Sequence, residues 1–121
     1  MKRIGVMLDC SRNAVPNVKS VKNFIDCLTK MGYNTLELYT EDTYAVEGEP
    51  YFGYLRGRYS SEEICQLDTY AKEKGIELIP CIQTLAHFTA IDRSVYGSII
   101  DTEDILLIDE VFSVGDARFK K

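Results

Sequence analysis

Residues 30–38 (KMGYNTLEL) and 73–81 (EKGIELIPC) decide the fold of this chain. In each stretch the end of an amphipathic segment meets a glycine, and a short apolar run typical of a buried strand follows. The two stretches lie about forty residues apart. This spacing predicts one strand and one helix per repeat, and therefore an α/β fold built from parallel βα units.

Three strands follow when the repeat is extended toward the start of the chain. Residues 4–8 are almost continuously apolar up to Asp9, which predicts a first strand buried on both faces. Residues 35–39 and 76–82 predict the second and third strands. The sheet should therefore be parallel throughout.

Two helices are predicted between these strands. The first opens at Asn17 and ends at Gly32, and the second opens at the capping-box pair Ser60 and Glu63 and ends at Gly75. Apolar side chains three and four residues apart mark one face of each helix. The residues of these faces are Val18, Val21, Ile25 and Leu28, then Ile64, Leu67 and Ala71.

Composition places the chain among soluble globular domains. It has 121 residues, of which 45% are hydrophobic and 27% charged. A formal charge of -5 and the lack of a basic stripe argue against nucleic acid as a partner. The apolar run before Asp9 is too short for a signal peptide or a membrane span, so we expect a cytoplasmic protein without a membrane partner.

The four cysteines indicate a reducing compartment. Cys10, Cys27, Cys65 and Cys81 are far apart, form no CxxC pair, and have no histidine spaced for zinc. We therefore expect reduced and mostly buried thiols, and no metal site.

Residues 39–59 (YTEDTYAVEGEPYFGYLRGRY) form a long loop directly after the second predicted strand. Glu41 and Asp42 stand where that strand ends. The loop also carries five aromatic residues and two arginines: Tyr44, Tyr51, Phe52, Tyr54, Tyr59, Arg56 and Arg58. Carboxylates and guanidinium groups can hydrogen-bond sugar hydroxyls, and aromatic faces can stack on a pyranose ring. This composition indicates a sugar-binding wall, and the alternative is a loop that packs on its own rings.

Polar groups also follow the other two predicted strands. Residues 9–12, 41–44 and 83–87 each begin where a strand ends. In parallel α/β folds, functional side chains collect beyond the carboxyl ends of the strands. We therefore expect all three segments to lie at one edge of the sheet.

Four motifs resemble those of glycoside hydrolase family 20, most closely the bacterial β-N-acetylhexosaminidases. They are MLDCSR (7–12), LYTEDTY (38–44), PYFGY (50–54) and IPCIQTLAH (79–87), in the same order and at the same strand ends. The resemblance implies that residues 1–109 supply the first three βα units of a (β/α)8 TIM barrel and that residues 110–121 are a divergent tail. It also implies an N-acetylhexosamine-containing glycan as substrate and no cofactor.

The resemblance assigns roles to individual residues. Arg12 matches the arginine that binds hydroxyls of the terminal sugar, and Glu41 or Asp42 matches the acidic position after the second strand. His87 matches the histidine that hydrogen-bonds within the same network. The structural alternatives are a surface pair between Arg12 and Asp9, a loop-capping role for the acidic residues, and a purely structural histidine.

Family 20 enzymes resemble one another in a substrate-assisted mechanism, in which the acetamido oxygen of the substrate attacks the anomeric carbon. An Asp-Glu pair at the end of the fourth strand orients the acetamido group and protonates the leaving oxygen. That strand lies beyond the resembling region here. We therefore expect no catalytic acid in this chain, and a truncated or rearranged reading frame would explain why.

The last residues show a different resemblance. Residues 104–121 (DILLIDEVFSVGDARFKK) look like the Walker B and D-loop stretch of ATP-binding-cassette ATPases. No phosphate-binding GxxxxGK(S/T) loop occurs in the chain, so nucleotide hydrolysis is not expected. Asp109 and Glu110 are candidates for a replacement catalytic pair, although the expected flanking glycines are absent. The alternative is an exposed strand end.

Three βα units cannot close a barrel of about 250 residues. The fold is therefore expected to be an open fragment of a barrel or a small three-layer sheet. An open sheet edge and an uncovered apolar face would favour self-association. The alternatives to a hydrolase are a non-catalytic carbohydrate-binding or edge-pairing fragment and a remnant of an ABC ATPase.

Overall fold

The computed structural model describes residues 2–12 and 14–82. They form three strands and two helices in the order β1 (Gly5–Asp9), α1 (Val18–Lys30), β2 (Thr35–Tyr39), α2 (Ser61–Glu73) and β3 (Glu77–Cys81). The sheet order is β1-β2-β3 and both pairings are parallel. The predicted α/β architecture of parallel βα units is confirmed.

Local sequence explains where each helix begins and ends. Asn17 caps α1, and its side-chain oxygen accepts from the amide of Ser20 at 2.9 Å. The predicted capping box of α2 is present, with Glu63 N to Ser60 Oγ at 3.2 Å and Ser60 N to Glu63 Oε2 at 2.9 Å. Gly32, just beyond α1, adopts a left-handed conformation (φ +81°) that lets the chain turn into the next strand.

Both helices pack on one face of the sheet. Leu36 and Leu38 of β2 join the buried faces of α1 and α2 in a single core, whose buried members are Cys10, Val21, Ile25, Leu28, Leu36, Leu38, Tyr59, Leu67, Ala71 and Ile76. Right-handed crossovers between strands in the order 1-2-3 place successive helices on the same side. This is the arrangement of a barrel segment and not that of a three-layer sheet.

The prediction that the first strand is buried on both faces is wrong. Alternate residues of β1 are exposed, and the side chain of Met7 is 54% accessible. The other two residues of this face, Gly5 and Asp9, are exposed as well. The cause is that α1 and α2 cover the opposite face, where Val6 and Leu8 contact the core.

The prediction of mostly buried cysteines is also wrong. Cys10 is buried and Cys81 is half-buried, whereas Cys27 and Cys65 are exposed. In α1 the buried residues Ile25 and Leu28 define the inward face, and Cys27 lies on the outward side of the helix. All four thiols are free.

Within the described ranges, no helix is long and apolar enough to cross a membrane.

Candidate functional site

The carboxyl ends of the three strands lie side by side and are bridged by main-chain hydrogen bonds. Cys10 N donates to Tyr39 O at 2.8 Å, and Thr40 N donates to Cys81 O at 3.2 Å. These bonds continue the parallel ladder past the strands themselves. The segments that follow β1 and β2 therefore leave the sheet at one edge, as the sequence predicts.

Two of the three segments predicted at this edge can be placed. Arg12 follows β1, and Glu41 and Asp42 follow β2. His87 lies outside the described residues, as do Asp109, Glu110 and the tail. Their roles stay predictions. Over the part of the chain that the structure describes, no three metal-ligating side chains come together.

Arg12 presents an accessible guanidinium group. Its side chain is 80% exposed, and Nε lies 3.9 Å from Asp9 Oδ2. An exposed pair at this distance is weak, because water competes for both partners. The predicted Arg12–Asp9 pair thus exists, and it leaves most of the guanidinium donors open to a ligand.

Ser11 holds the Asp9 carboxylate at the end of β1. The Ser11 amide and hydroxyl both donate to Asp9 Oδ1, at 2.8 and 2.6 Å. These two bonds, with the charge of Arg12 as a smaller contribution, hold the pKa of Asp9 below its ordinary value of 3.8. Ser11 itself is buried, so the arrangement fixes the main chain that leads to Arg12.

We expect Ser11→Ala to raise the pKa of Asp9 toward 3.8, because the hydroxyl bond is lost while the amide bond and Arg12 remain. A lowered folded-state pKa adds stability above the unfolded-state value and loses it as the pH falls through the folded-state value. The variant therefore lacks part of this contribution at neutral pH. An NMR titration of the Asp9 carboxyl carbon measures the change, with exposed Ser61→Ala as the control. Equal values in all three proteins would refute the assignment.

The two ends of the long loop are pinned beside the sheet. Thr43 N and Oγ1 donate to Thr40 O at 2.8 and 2.7 Å, which makes a tight turn directly after β2. Tyr59 N donates to Thr43 O at 3.0 Å, and Ala45 N donates to Tyr59 O at 2.8 Å. Tyr59 is buried, its hydroxyl donates to Pro16 O, and burial raises its pKa. The loop therefore returns to its own starting point, next to the entry of α1.

Glu41 and Asp42 are held in this turn with little exposure. The Asp42 residue is 5% exposed, and the Glu41 side chain is 9% exposed. Glu41 Oε1 accepts from the hydroxyl of Tyr39 at 3.1 Å. The Glu41 backbone has a φ of +48°, a left-handed conformation that costs a non-glycine residue about 1–3 kcal/mol. Such strain persists only where surrounding contacts enforce it.

Arg56 supplies contacts to both carboxylates. Its Nη2 lies 3.1 Å from Asp42 Oδ1 and 3.9 Å from Glu41 Oε2, and it donates to the carbonyl oxygen of Ser11. From the sequence, the loop arginines are predicted to hydrogen-bond sugar hydroxyls directly. In the structure Arg56 binds the protein itself, and Arg58 Nη1 donates to Phe52 O. Sequence spacing gave no signal of this contact, because Arg56 and Ser11 are 45 positions apart.

Gly53 brings the tip of the loop onto the acidic pair. A Cβ atom at this position would lie 2.0 Å from the carbonyl oxygen of Asp42, and the φ of Gly53 is +63°. Real Cβ atoms do not approach an oxygen so closely, so a side chain cannot be added here without moving the loop. Gly53 therefore packs directly against the main chain of Asp42.

Both interpretations of the aromatic loop describe part of it. Tyr44 and Phe52 pack edge to face with ring centroids 5.2 Å apart, and Tyr59 belongs to the core. Tyr51 and Tyr54 are 63% and 61% exposed, with ring centroids 6.3 Å apart. The loop packs on some of its rings and presents two others to solvent.

A family model described as the catalytic domain of glycosyl hydrolase family 20 matches residues 3–111. The chain belongs to glycosyl hydrolase family 20. The parallel sheet with both helices on one face agrees with the predicted partial TIM barrel of this family. No curated protein sequence matches the chain.

Three solved structures illustrate what this family 20 chain is similar to. One is a chitobiase of Flavobacterium johnsoniae, with 28% identity and a TM-score of 0.70 over 80% of this chain and 16% of that one. Another is an exo-β-N-acetylglucosaminidase of Vibrio harveyi in complex with N-acetylglucosamine, with 23% identity and a TM-score of 0.77 over 92% and 22%. The third is dispersin B, with 24% identity and a TM-score of 0.74 over 98% and 41%. The chain therefore spans between about a sixth and two fifths of these proteins.

Proposed function

We propose that this chain acts in the removal of terminal N-acetylglucosamine from glycans, by the substrate-assisted retaining mechanism, as the part of the site that holds the sugar. The observation that carries the proposal is the match of the family 20 catalytic domain to residues 3–111. The geometry at the carboxyl edge of the sheet supports it, since an exposed arginine and two buried carboxylates are the groups that bind hydroxyls.

Each described residue has a definite chemical task in this proposal. The Arg12 guanidinium is a planar fork of donors that suits two neighbouring hydroxyls of a sugar ring. Arg56 holds Glu41 and Asp42 near the main chain that precedes Arg12, which places acidic groups at the same end of the sheet. The acetamido oxygen of the substrate attacks the anomeric carbon, so the chain needs no nucleophile of its own.

Sugar binding by Arg12 is tested against Arg3, which is a matched control. Both arginines are exposed and paired with an exposed carboxylate. Arg3, however, pairs with Glu77 at the amino end of the strands, and Arg12 lies at their carboxyl end. We expect Arg12→Ala to weaken binding of N-acetylglucosamine by about tenfold or more, the effect of losing charge-assisted hydrogen bonds. We expect Arg3→Ala to leave it unchanged. Affinities come from an NMR titration of the full chain, and equal losses in both variants would exclude the site.

We also propose a bacterial origin and a cytoplasmic location. The similarity of the motifs to bacterial enzymes supports the first. Four free thiols, two of them exposed, support the second because a reducing compartment keeps such thiols unpaired. Cell fractionation with an antibody to the chain would test the location.

A second candidate function is that of a non-catalytic carbohydrate-binding or edge-pairing fragment. It is favoured by the engagement of Glu41 and Asp42 by Arg56, since both carboxylates already have contacts within the loop. The ABC ATPase alternative rests on residues 104–121 alone, and a nucleotide-binding assay tests it.

Self-association is expected through β1, which is an edge strand of the described sheet and has one exposed face. We expect Met7→Lys to shift the chain toward monomer, because a charge on an edge strand opposes pairing with a second chain. Leu55→Lys is the control, since Leu55 is 87% exposed but lies in the loop and not on a strand. Light scattering over a series of concentrations measures the effect. A single monomer peak for the unmodified chain at every concentration would contradict it.

A further inference from the structure

Arg56 links two segments that belong to different βα units. The carbonyl oxygen of Ser11, immediately before Arg12, accepts from Nη2 of Arg56. The same nitrogen lies 3.1 Å from Asp42 Oδ1 and 3.9 Å from Glu41 Oε2. One guanidinium therefore joins the main chain that presents the exposed arginine to the acidic residues after β2.

Three polar atoms around this link are buried but lack a hydrogen-bond partner in the described part of the chain. These atoms are Thr40 Oγ1, Asp42 Oδ1 and Arg56 Nε. The contact of Arg56 with Asp42 Oδ1 is an ion pair and not a hydrogen bond. Buried polar groups are ordinarily paired, and an under-satisfied group is costly unless it serves a further purpose.

Comparison with Arg58 shows that the link is particular to Arg56. The two arginines lie two positions apart in the same loop, but Arg58 donates to Phe52 O within the loop itself. The described contacts of Arg58 therefore stabilise the loop. Those of Arg56 stabilise the loop and also fix the spacing between Arg12 and the acidic pair.

We propose that Arg56 is a positioning residue of the sugar site: it holds Glu41 and Asp42 at a set distance from the segment that carries Arg12. This inference deepens the proposed function and rests on it. Arginine suits the task, because its planar group donates in several directions at once and stays charged. A lysine in its place would keep the charge but not the geometry.

The test compares Arg56→Gln, Arg56→Lys and the matched control Arg58→Gln in the full chain. The affinity for N-acetylglucosamine is measured by NMR titration, and the melting temperature is measured in parallel. We expect Arg56→Gln to weaken binding about tenfold or more and Arg56→Lys to recover part of the loss. We expect Arg58→Gln to keep the wild-type affinity, even where its melting temperature falls. Because the NMR signals report the folded molecules, a merely structural role would lower the melting temperature without changing the affinity.

Wild-type affinity in Arg56→Gln, or equal losses in Arg56→Gln and Arg58→Gln, would overturn the proposal. If Arg56→Gln does not fold, Arg56→Lys decides, since it must bind more weakly than Arg58→Gln. If the unmodified chain does not bind the sugar, the proposed function fails. The role of Arg56 is then tested by the NMR chemical shifts of the backbone amides alone. The inference then requires shifts at residues 11–12 and 41–42 together in the Arg56 variants, but not in Arg58→Gln, and their absence would refute it.

Discussion

Gly53→Ala is expected to destabilise the fold by about 2–5 kcal/mol. The left-handed backbone at Gly53 (φ +63°) costs an alanine about 1–2 kcal/mol. The new Cβ would lie 2.0 Å from Asp42 O, and displacing a packed backbone segment typically costs a further 1–3 kcal/mol or so. Urea unfolding of the full chain measures the change.

Gly48→Ala separates the two contributions. Gly48 has a similar left-handed backbone (φ +82°), but no atom lies within 4 Å of the position that its Cβ would take. We expect it to lose only about 1–2 kcal/mol, the conformational cost alone. Equal losses in the two variants would show that the loop tip does not press on the Asp42 main chain. The larger loss at Gly53 should be accompanied by weaker sugar binding, since the same contact positions the acidic pair.

Local signals account for the part of the fold that the sequence predicts well. The capping pair Ser60 and Glu63 lies within one helical turn, and Gly32 and Gly75 each follow directly on a helix. Each of these signals acts over a few residues, so no knowledge of the tertiary structure is needed to interpret it. The order of the elements then follows from the repeat, and the common edge of the strand ends follows from the parallel sheet.

The remaining features depend on contacts between distant parts of the chain. An apolar run such as residues 4–8 looks the same whether helices cover one face or both, so the exposure of Met7 could not be predicted. The exposure of Cys27, in contrast, follows from the apolar pattern of α1, because Cys27 lies off the face formed by Val21, Ile25 and Leu28. The contact of Arg56 with Ser11 and the left-handed backbone of Glu41 carry no local signal at all.

Catalysis would require more than the groups proposed to hold the sugar, which are Arg12, Glu41 and Asp42. A general acid must lie within hydrogen-bond reach of the glycosidic oxygen, and its assistance contributes about 10²- to 10⁴-fold in rate. Glu41 and Asp42, the acids after β2, are already engaged by Arg56 and belong to the loop turn. The family resemblance places the acid pair after a fourth strand, and the candidates Asp109 and Glu110 lack the flanking glycines of that pair.

We therefore expect the 121-residue chain to release no fluorophore above background from a fluorogenic N-acetyl-β-glucosaminide. An absent general acid would lower the rate, and an unclosed barrel would also lack positioning and water exclusion. Glu110→Gln and Arg12→Ala should accordingly give the same background rate as the unmodified chain. A sample of the Vibrio harveyi exo-β-N-acetylglucosaminidase assayed in parallel checks that the substrate and the detection are sound. Turnover by the unmodified chain that disappears in both variants would show that the tail provides the acid, and would refute the expectation of an inactive chain. Turnover that survives both substitutions would indicate a contaminating enzyme, which purification through a second affinity tag would remove.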